Sequence, residues 1–233
     1  MNVRLHVVAE GQTEETYAKT VLVPHLSHFE IYASVRAVET GRRRGKTYRG
    51  GIRTYAKLRG DLMRWMKEDD NPDAFFTTMV DLYGLHALSD EFPGWHESRA
   101  TPDPYDKVSA LEMAWRQDID HPRFVPYLQL HEFEALLLAS PRDLAAEFVG
   151  CDEPIERLYD MASGFDSPER IDDGEESAPS KRIIAELPQY AGKKASAGPI
   201  VAERIGLEAL RAKCPHFAQW LCHLERLSET ANP

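Results

Sequence analysis

Residues 3–15 read VRLHVVAEGQTEE. Val3 to Ala9 mix β-branched and apolar side chains, the signature of a buried strand, and Glu10-Gly11 closes that strand with a tight turn. Thr13 is placed to cap a helix that opens with Glu14 and Glu15, two acids suited to the positive end of a helix. Tyr17, Val21, Leu22 and Leu26 continue the helical spacing, and Pro24 marks a kink or an end. Strand, tight turn and helix in so few residues is the opening of an α/β unit.

The same alternation continues outward from this stretch. IYASVRAV (31–38) predicts a second strand. Ile52, Tyr55, Leu58, Leu62 and Trp65 fall on one helical face. AFFTTMVDL (74–82) predicts a third buried strand, and a loop rich in Pro, Ser and acids covers 84–105. Val108, Leu111 and Trp115 share a face of a helix over about 107–117. FVPYLQL (124–130) predicts a fourth strand that runs directly into the helical pattern HEFEALLLA. Four strands alternating with helices argue for a parallel sheet of about four strands flanked by helices, an α/β fold.

After residue 140 the texture becomes helical. Ser140-Pro141 is a helix start, SGFDSPERIDDGEESAPS (163–180) reads as a flexible loop, and Pro199 and Pro215 each read as first-turn prolines. Phe217, Trp220, Leu221, Leu224 and Leu227 form a helical stripe of core type. The expected organisation is an α/β domain over 1–140, carrying a basic segment at 41–60, and a helical C-terminal region over 141–233 packed on it or appended to it.

Composition narrows the class. The chain has 233 residues, 28 Lys+Arg against 38 Asp+Glu, a net charge of −10 and 42% hydrophobic residues. That apolar fraction excludes a disordered chain. No apolar run approaches the roughly 18 residues that a membrane span needs. Arg4 and Glu10 interrupt the N-terminal apolar stretch, which therefore does not read as a secretory signal. The 3 cysteines, with no C-x-x-C, suit neither a disulfide framework nor a zinc ribbon. The expectation is a soluble, cytoplasmic protein with no membrane partner.

Charge is spread unevenly. GRRRGKTYRGGIRTYAKLRG (41–60) carries eight basic side chains and no acid, leaving 20 basic against 38 acidic residues elsewhere. Arg42, Arg43, Arg44, Lys46, Arg49 and Arg53 are candidate contacts for a polyanion, with Lys181 in a second, weaker basic group. The alternative is a solvated loop and helix face. Gly41 to Thr47 nearly imitates a phosphate-binding loop, but Thr40 stands where its first glycine belongs.

In open parallel sheets, ligands sit beyond the carboxyl ends of the strands. Three of the four expected strands end in acids: Glu10 with Glu14 after the first, Asp81 after the third, and His131, Glu132 and Glu134 after the fourth. Taken singly, each acid could be a helix cap or a solvated side chain. Gathered at one edge they repel unless a cation holds them, and hard oxygen donors suit Mg²⁺ or Mn²⁺. Asp81 directly follows an apolar run, so it needs a partner. His131 beside Glu132 is a candidate acid or base, or a satisfied core histidine.

The VAEGQTE turn, MVDLYG and YLQLHEFEALL, in this order, resemble the bacterial family called domain of unknown function 4276, as do PSKRI, Pro188-x-Tyr190 and CPHFAQWL. The resemblance spans essentially the whole chain. That family in turn resembles the Toprim fold of topoisomerases, primases and OLD-type nucleases. The resemblance implies a Toprim-like, Rossmannoid sheet and Mg²⁺- or Mn²⁺-dependent phosphodiester chemistry. Glu10 matches the Toprim glutamate of metal binding or proton transfer, Glu14 the second glutamate of an E-x-x-x-E turn, and Asp81 the first acid of the D-x-D motif. Tyr83 stands where the second D-x-D acid belongs, and Glu132 or Glu134 could replace it. His131 is a catalytic candidate on the same ground. A nuclease of this type often accompanies an ATPase as half of a bacterial two-gene system of the phage-defence kind, acting on DNA rather than RNA. The alternative is a degenerate, non-catalytic Toprim module that binds nucleic acid or an ATPase. A third reading is a small-molecule phosphotransferase or phosphatase.

Overall fold

The computed structural model describes residues 2–43, 46–49, 52, 54–88, 91–171 and 177–230. Its central sheet is parallel. β1 (Val3–Ala9) lies between β2 (Ile31–Ala37) and β5 (Ala74–Asp81). Beyond β5 come β6 (Phe124–Val125) and β7 (Leu128–Gln129), so the spatial order is β2-β1-β5-β6, with β7 also on β5. The chain leaves β1 towards one side for β2, then crosses back over β1 to reach β5. The gap between the carboxyl ends of β1 and β5 is therefore the topological switch point, the place where such sheets hold ligands.

Both faces of the sheet are covered. On one face, Val3, Leu5 and Val7 of β1 pack with Tyr17, Leu22 and Leu26 and with Phe217, Trp220 and Leu221 from near the C-terminus. On the other, Val8, Phe76 and Val80 pack with α3 (Tyr55–Glu68) and α5 (Pro104–Ile119) through Leu58, Leu62, Trp65, Leu111 and Trp115. Burying each of these large side chains contributes about 1.5–3 kcal/mol. Most of β5 and the end of β1 (Val7–Ala9) are covered on both faces and buried continuously, whereas the start of β1 alternates, with Arg4 exposed between buried Val3 and Leu5.

The expected fourth strand is split. Pro126 has no N–H for the ladder, and two threonines of β5 make up the loss. Thr77 Oγ1 donates to the Val125 carbonyl at 2.7 Å, and Tyr127 N–H donates to Thr78 Oγ1 at 2.8 Å. The helix after β1 also departs from expectation. α1 (Gln12–Tyr17) is capped at Gly11 rather than Thr13, with the Glu14 carboxylate accepting the Gly11 N–H at 2.9 Å. A π-helical turn (Ala18–Leu22) then leads into α2 (Val23–Ser27). The wider turn lets the chain carry Pro24, which cannot supply a regular helical hydrogen bond, without ending the helix.

The first part of the basic segment is an antiparallel hairpin of β3 (Glu39–Arg43) and β4 (Lys46–Arg49), and its last part, with Lys57 and Arg59, opens α3. The expected 84–105 loop contains a 3₁₀ turn (Tyr83–Leu88) and the short α4 (Trp95–Ser98), and its Leu85, Leu88, Phe92 and Trp95 are buried.

The C-terminal third holds α6 (Glu134–Leu137), α7 (Asp152–Ala162), α8 (Pro179–Glu186), α9 (Lys194–Lys213), α10 (Pro215–Glu225) and α11 (Leu227–Thr230). Pro215 opens α10 as expected, whereas Pro199 lies inside α9, and α9 breaks at Gly206, whose φ of 80° is left-handed. The 163–180 stretch is not simply a flexible loop. Its 3₁₀ turn (Pro168–Arg170) carries Glu169 and is followed by Ile171, both fully buried. Residues 172–176 lie outside the described residues. No described helix is long and apolar enough to cross a membrane.

Candidate metal and phosphate site

β1 and β5 run side by side in register, with Ala9 opposite Met79, so the residues that follow them emerge together. Glu10 leaves β1, and its Oε2 accepts the Asp81 N–H at 2.9 Å. Gly84 explains how the carboxylate can lie there. A Cβ on Gly84 would stand 2.8 Å from Glu10 Oε1 and 2.9 Å from Oε2, so a larger residue would push the acid away. The glycine of MVDLYG is thus a space requirement rather than a turn requirement.

Glu14 enters from the first turn of α1 and is buried. Glu132 and Glu134, also buried, arrive just beyond β7. His131, between that strand and the acids, adopts a left-handed φ of 62°, unusual for a residue with a side chain, and turns the chain there. Its Nε2–H donates to the Glu169 carbonyl at 2.9 Å, which ties the ring to the C-terminal region.

The electrostatics follow from this crowding. Burial, reinforced by the charge of Glu132, pushes the Glu10 carboxyl up to about 7, against the opposing bond from the Asp81 N–H. Burial and then the charge of Glu10 push Glu14 up to about 8. Asp81 is raised well above the usual carboxylate range by burial and by the charges of Glu14, Glu10, Glu134 and Glu132. Glu134 is also raised by burial, with Lys194 pulling the other way. Asp81 Oδ1 is sealed from solvent and has no hydrogen-bond partner among the described residues. An acidic oxygen in that state costs free energy as it stands.

The C-terminal region closes the site from the other side, which the local sequence pattern does not foretell. The Ser180 N–H, at the start of α8, donates to Glu132 Oε2 at 2.8 Å. The Tyr190 hydroxyl donates to Glu134 Oε1 at 3.2 Å, and Lys194 Nζ lies 3.4 Å from the same oxygen. The two acids offered as substitutes for the missing second D-x-D acid therefore already have protein partners. Lys181, next to Ser180, is exposed.

All five candidate acids thus converge on one sheet edge. The basic hairpin springs from the same edge: β2 ends beside Ala9, and β3 begins two residues later. The backbones of Arg42, Arg43, Lys46 and Arg49 lie in its two strands, while Arg44 and Arg53 lie outside the described residues.

The donor set fits a hard divalent cation: it is all oxygen, strongly anionic and includes an orphaned Asp81 oxygen. Among the described residues, however, no group of three or more His, Cys, Asp or Glu side chains stands ready to hold a metal ion. The side chains would have to draw together around one.

The family model described as Domain of unknown function (DUF4276) matches residues 9–225. The chain belongs to that family. No curated protein matches it. Among solved structures, glycerol-3-phosphate dehydrogenase from Saccharomyces cerevisiae is similar at 11% identity, with 100% of each chain covered and a TM-score of 0.23, too low to carry an argument.

Proposed function

We propose that this protein is a Toprim-like nuclease, dependent on Mg²⁺ or Mn²⁺, that acts on nucleic-acid phosphodiesters, DNA in preference to RNA. The observation that carries this reading is the gathering of Glu10, Glu14, Asp81, Glu132 and Glu134 at the switch point, with Asp81 Oδ1 unpartnered and the acids raised by burial and mutual repulsion. Solvated surface acids share none of these features. The further reading, an effector paired with an ATPase in a bacterial two-gene defence system in the cytoplasm, rests on the resemblance to OLD-type nucleases.

Asp81, Glu10 and Glu14 would hold the ion, with Glu134 reachable beside them. Such an ion, when bound, lowers the pKa of water and neutralises charge that develops on a phosphate. The chain's own part is to place and tune the acids. Gly84 leaves room for Glu10, and the Asp81 N–H fixes the direction of that carboxylate. Burial holds the Glu10 carboxyl near 7 without an ion, and an arriving cation would favour its charged form. The hairpin arginines would draw a polyanion towards an edge that its own acids would repel.

The reading predicts Mn²⁺-dependent nicking of supercoiled plasmid that disappears in Glu10→Ala and in Asp81→Ala. Nicking that survives both substitutions contradicts it. One observation favours a second reading, a degenerate module that binds nucleic acid or an ATPase without turnover. Tyr83 replaces an acid, and Lys194 already sits on Glu134. Retained DNA or ATPase binding in a wild type that never cleaves would select that alternative.

A further inference from the structure

By sequence Lys194 belongs to the second, weaker basic group with Lys181, Arg182 and Lys193, and its ammonium lies 3.4 Å from Glu134 Oε1. Among the described residues, it is the cation that pairs with any of the five acids. Its setting is unlike that of its neighbours. Glu134 and Tyr190 are buried, whereas the Lys194 side chain is 37% exposed and can swing into solvent without disturbing the core. Its backbone is fixed as the first residue of α9. Gly198, one turn on, lets that helix press close: a Cβ there would meet the Tyr190 hydroxyl at 3.2 Å and Thr13 at 3.4 Å. A helical backbone, a partly exposed charged tip and a buried acid beneath it form a replaceable counter-ion.

We propose that Lys194 is the built-in counter-ion of the acidic site, holding Glu134 in the metal-free protein and giving up that oxygen when a divalent ion enters. The inference rests on the metal-dependent reading above. A divalent ion on Glu134 and an ammonium at salt-bridge distance from the same oxygen would repel each other strongly in a partly desolvated site. The two cations therefore compete, and Lys194 sets how much metal is needed to load the site.

The test is thermal unfolding of the full chain titrated with Mn²⁺, for wild type, Lys194→Met, Lys194→Arg and Glu134→Gln/Lys194→Met. Without metal, Lys194→Met is expected to unfold about 2 °C lower, because Glu134 loses its partner, and the double variant should recover that loss. With metal, Lys194→Met should reach half-saturation at about tenfold lower Mn²⁺ concentration, the order expected from removing one unit charge beside the ion. Lys194→Arg, which keeps the charge, should behave as wild type. A purely structural lysine would lower the metal-free stability and leave the Mn²⁺ midpoint where it was. An unchanged or higher midpoint in Lys194→Met, with wild type still responding to Mn²⁺, overturns the counter-ion role alone. No response to Mn²⁺ in any variant overturns the metal-dependent reading and this inference with it.

Discussion

Two acids of this protein, Glu169 and Asp81, meet the same difficulty in opposite ways. Glu169 is fully buried, and burial raises its carboxyl. Yet its two oxygens accept the N–H groups of His216 and Phe217, at 2.9 and 3.0 Å, at the start of α10. The charge sits where the helix dipole and two orphan donors want it. Asp81 is raised by burial too, but four like charges surround it, and one of its oxygens has no partner among the described residues. A buried charge that serves the fold is satisfied within the fold. A buried charge left unsatisfied, beside others, points to a ligand from outside.

That contrast breaks down if the two sites respond alike to neutralisation. Glu169→Ala should destabilise the protein by about 3 kcal/mol, through a lost helix cap and two stranded buried donors, as measured by urea unfolding. Asp81→Asn should do the reverse in metal-free buffer and raise stability by about 1 kcal/mol at pH 8, because it removes repulsion. The sign depends on pH. Carboxyls raised in the folded state keep their full stability below the unfolded value and lose it as pH climbs through the folded values, here about 7 for Glu10 and about 8 for Glu14. Metal-free wild type should therefore lose stability between about pH 4.5 and 8, and Asp81→Asn should lose less. Equal slopes for the two proteins would show that Asp81 does not feel its neighbours.

Smaller effects sharpen the picture. Gly84→Ala should change stability by no more than about 1 kcal/mol while displacing Glu10 from the Asp81 N–H, so the Mn²⁺ response should weaken with the fold intact by circular dichroism. Replacing Arg42, Arg43, Lys46 and Arg49 by alanine removes four of the eight basic side chains of 41–60. The same change should reduce the salt dependence of DNA binding by about one unit of slope for each phosphate that is no longer neutralised. An unchanged slope would place the nucleic-acid path elsewhere.

Much of this arrangement is legible locally. The spans of β1 and β5 follow from their apolar runs, and Glu10 and Asp81 follow from asking what stands at the ends of those strands. The parallel sheet and helical C-terminal region are as the pattern predicts. What is not legible requires partners distant in the chain. Nothing near Lys194, Tyr190 or Ser180 says that they meet acids far back in the chain, Glu134 and Glu132. Glu169 sits in a stretch whose Ser, Pro and Asp content reads as loop, and only the position of α10 explains its burial. Local preference places the cap of α1 at Thr13, two residues late, because it does not reveal that Glu14 reaches back to Gly11. The same acid therefore closes a helix and faces the site.

The central claim, that the unsatisfied acids at the switch point are built to receive a divalent cation, is tested most directly by thermal unfolding at pH 8 with and without Mn²⁺, on wild type and Asp81→Asn. An ion that binds only the folded state stabilises it by about 2.7 kcal/mol at one hundred times its dissociation constant. The expected result is a concentration-dependent rise in the wild-type midpoint that Asp81→Asn removes. A wild type that fails to respond up to millimolar Mn²⁺, or a variant that responds equally, would contradict it.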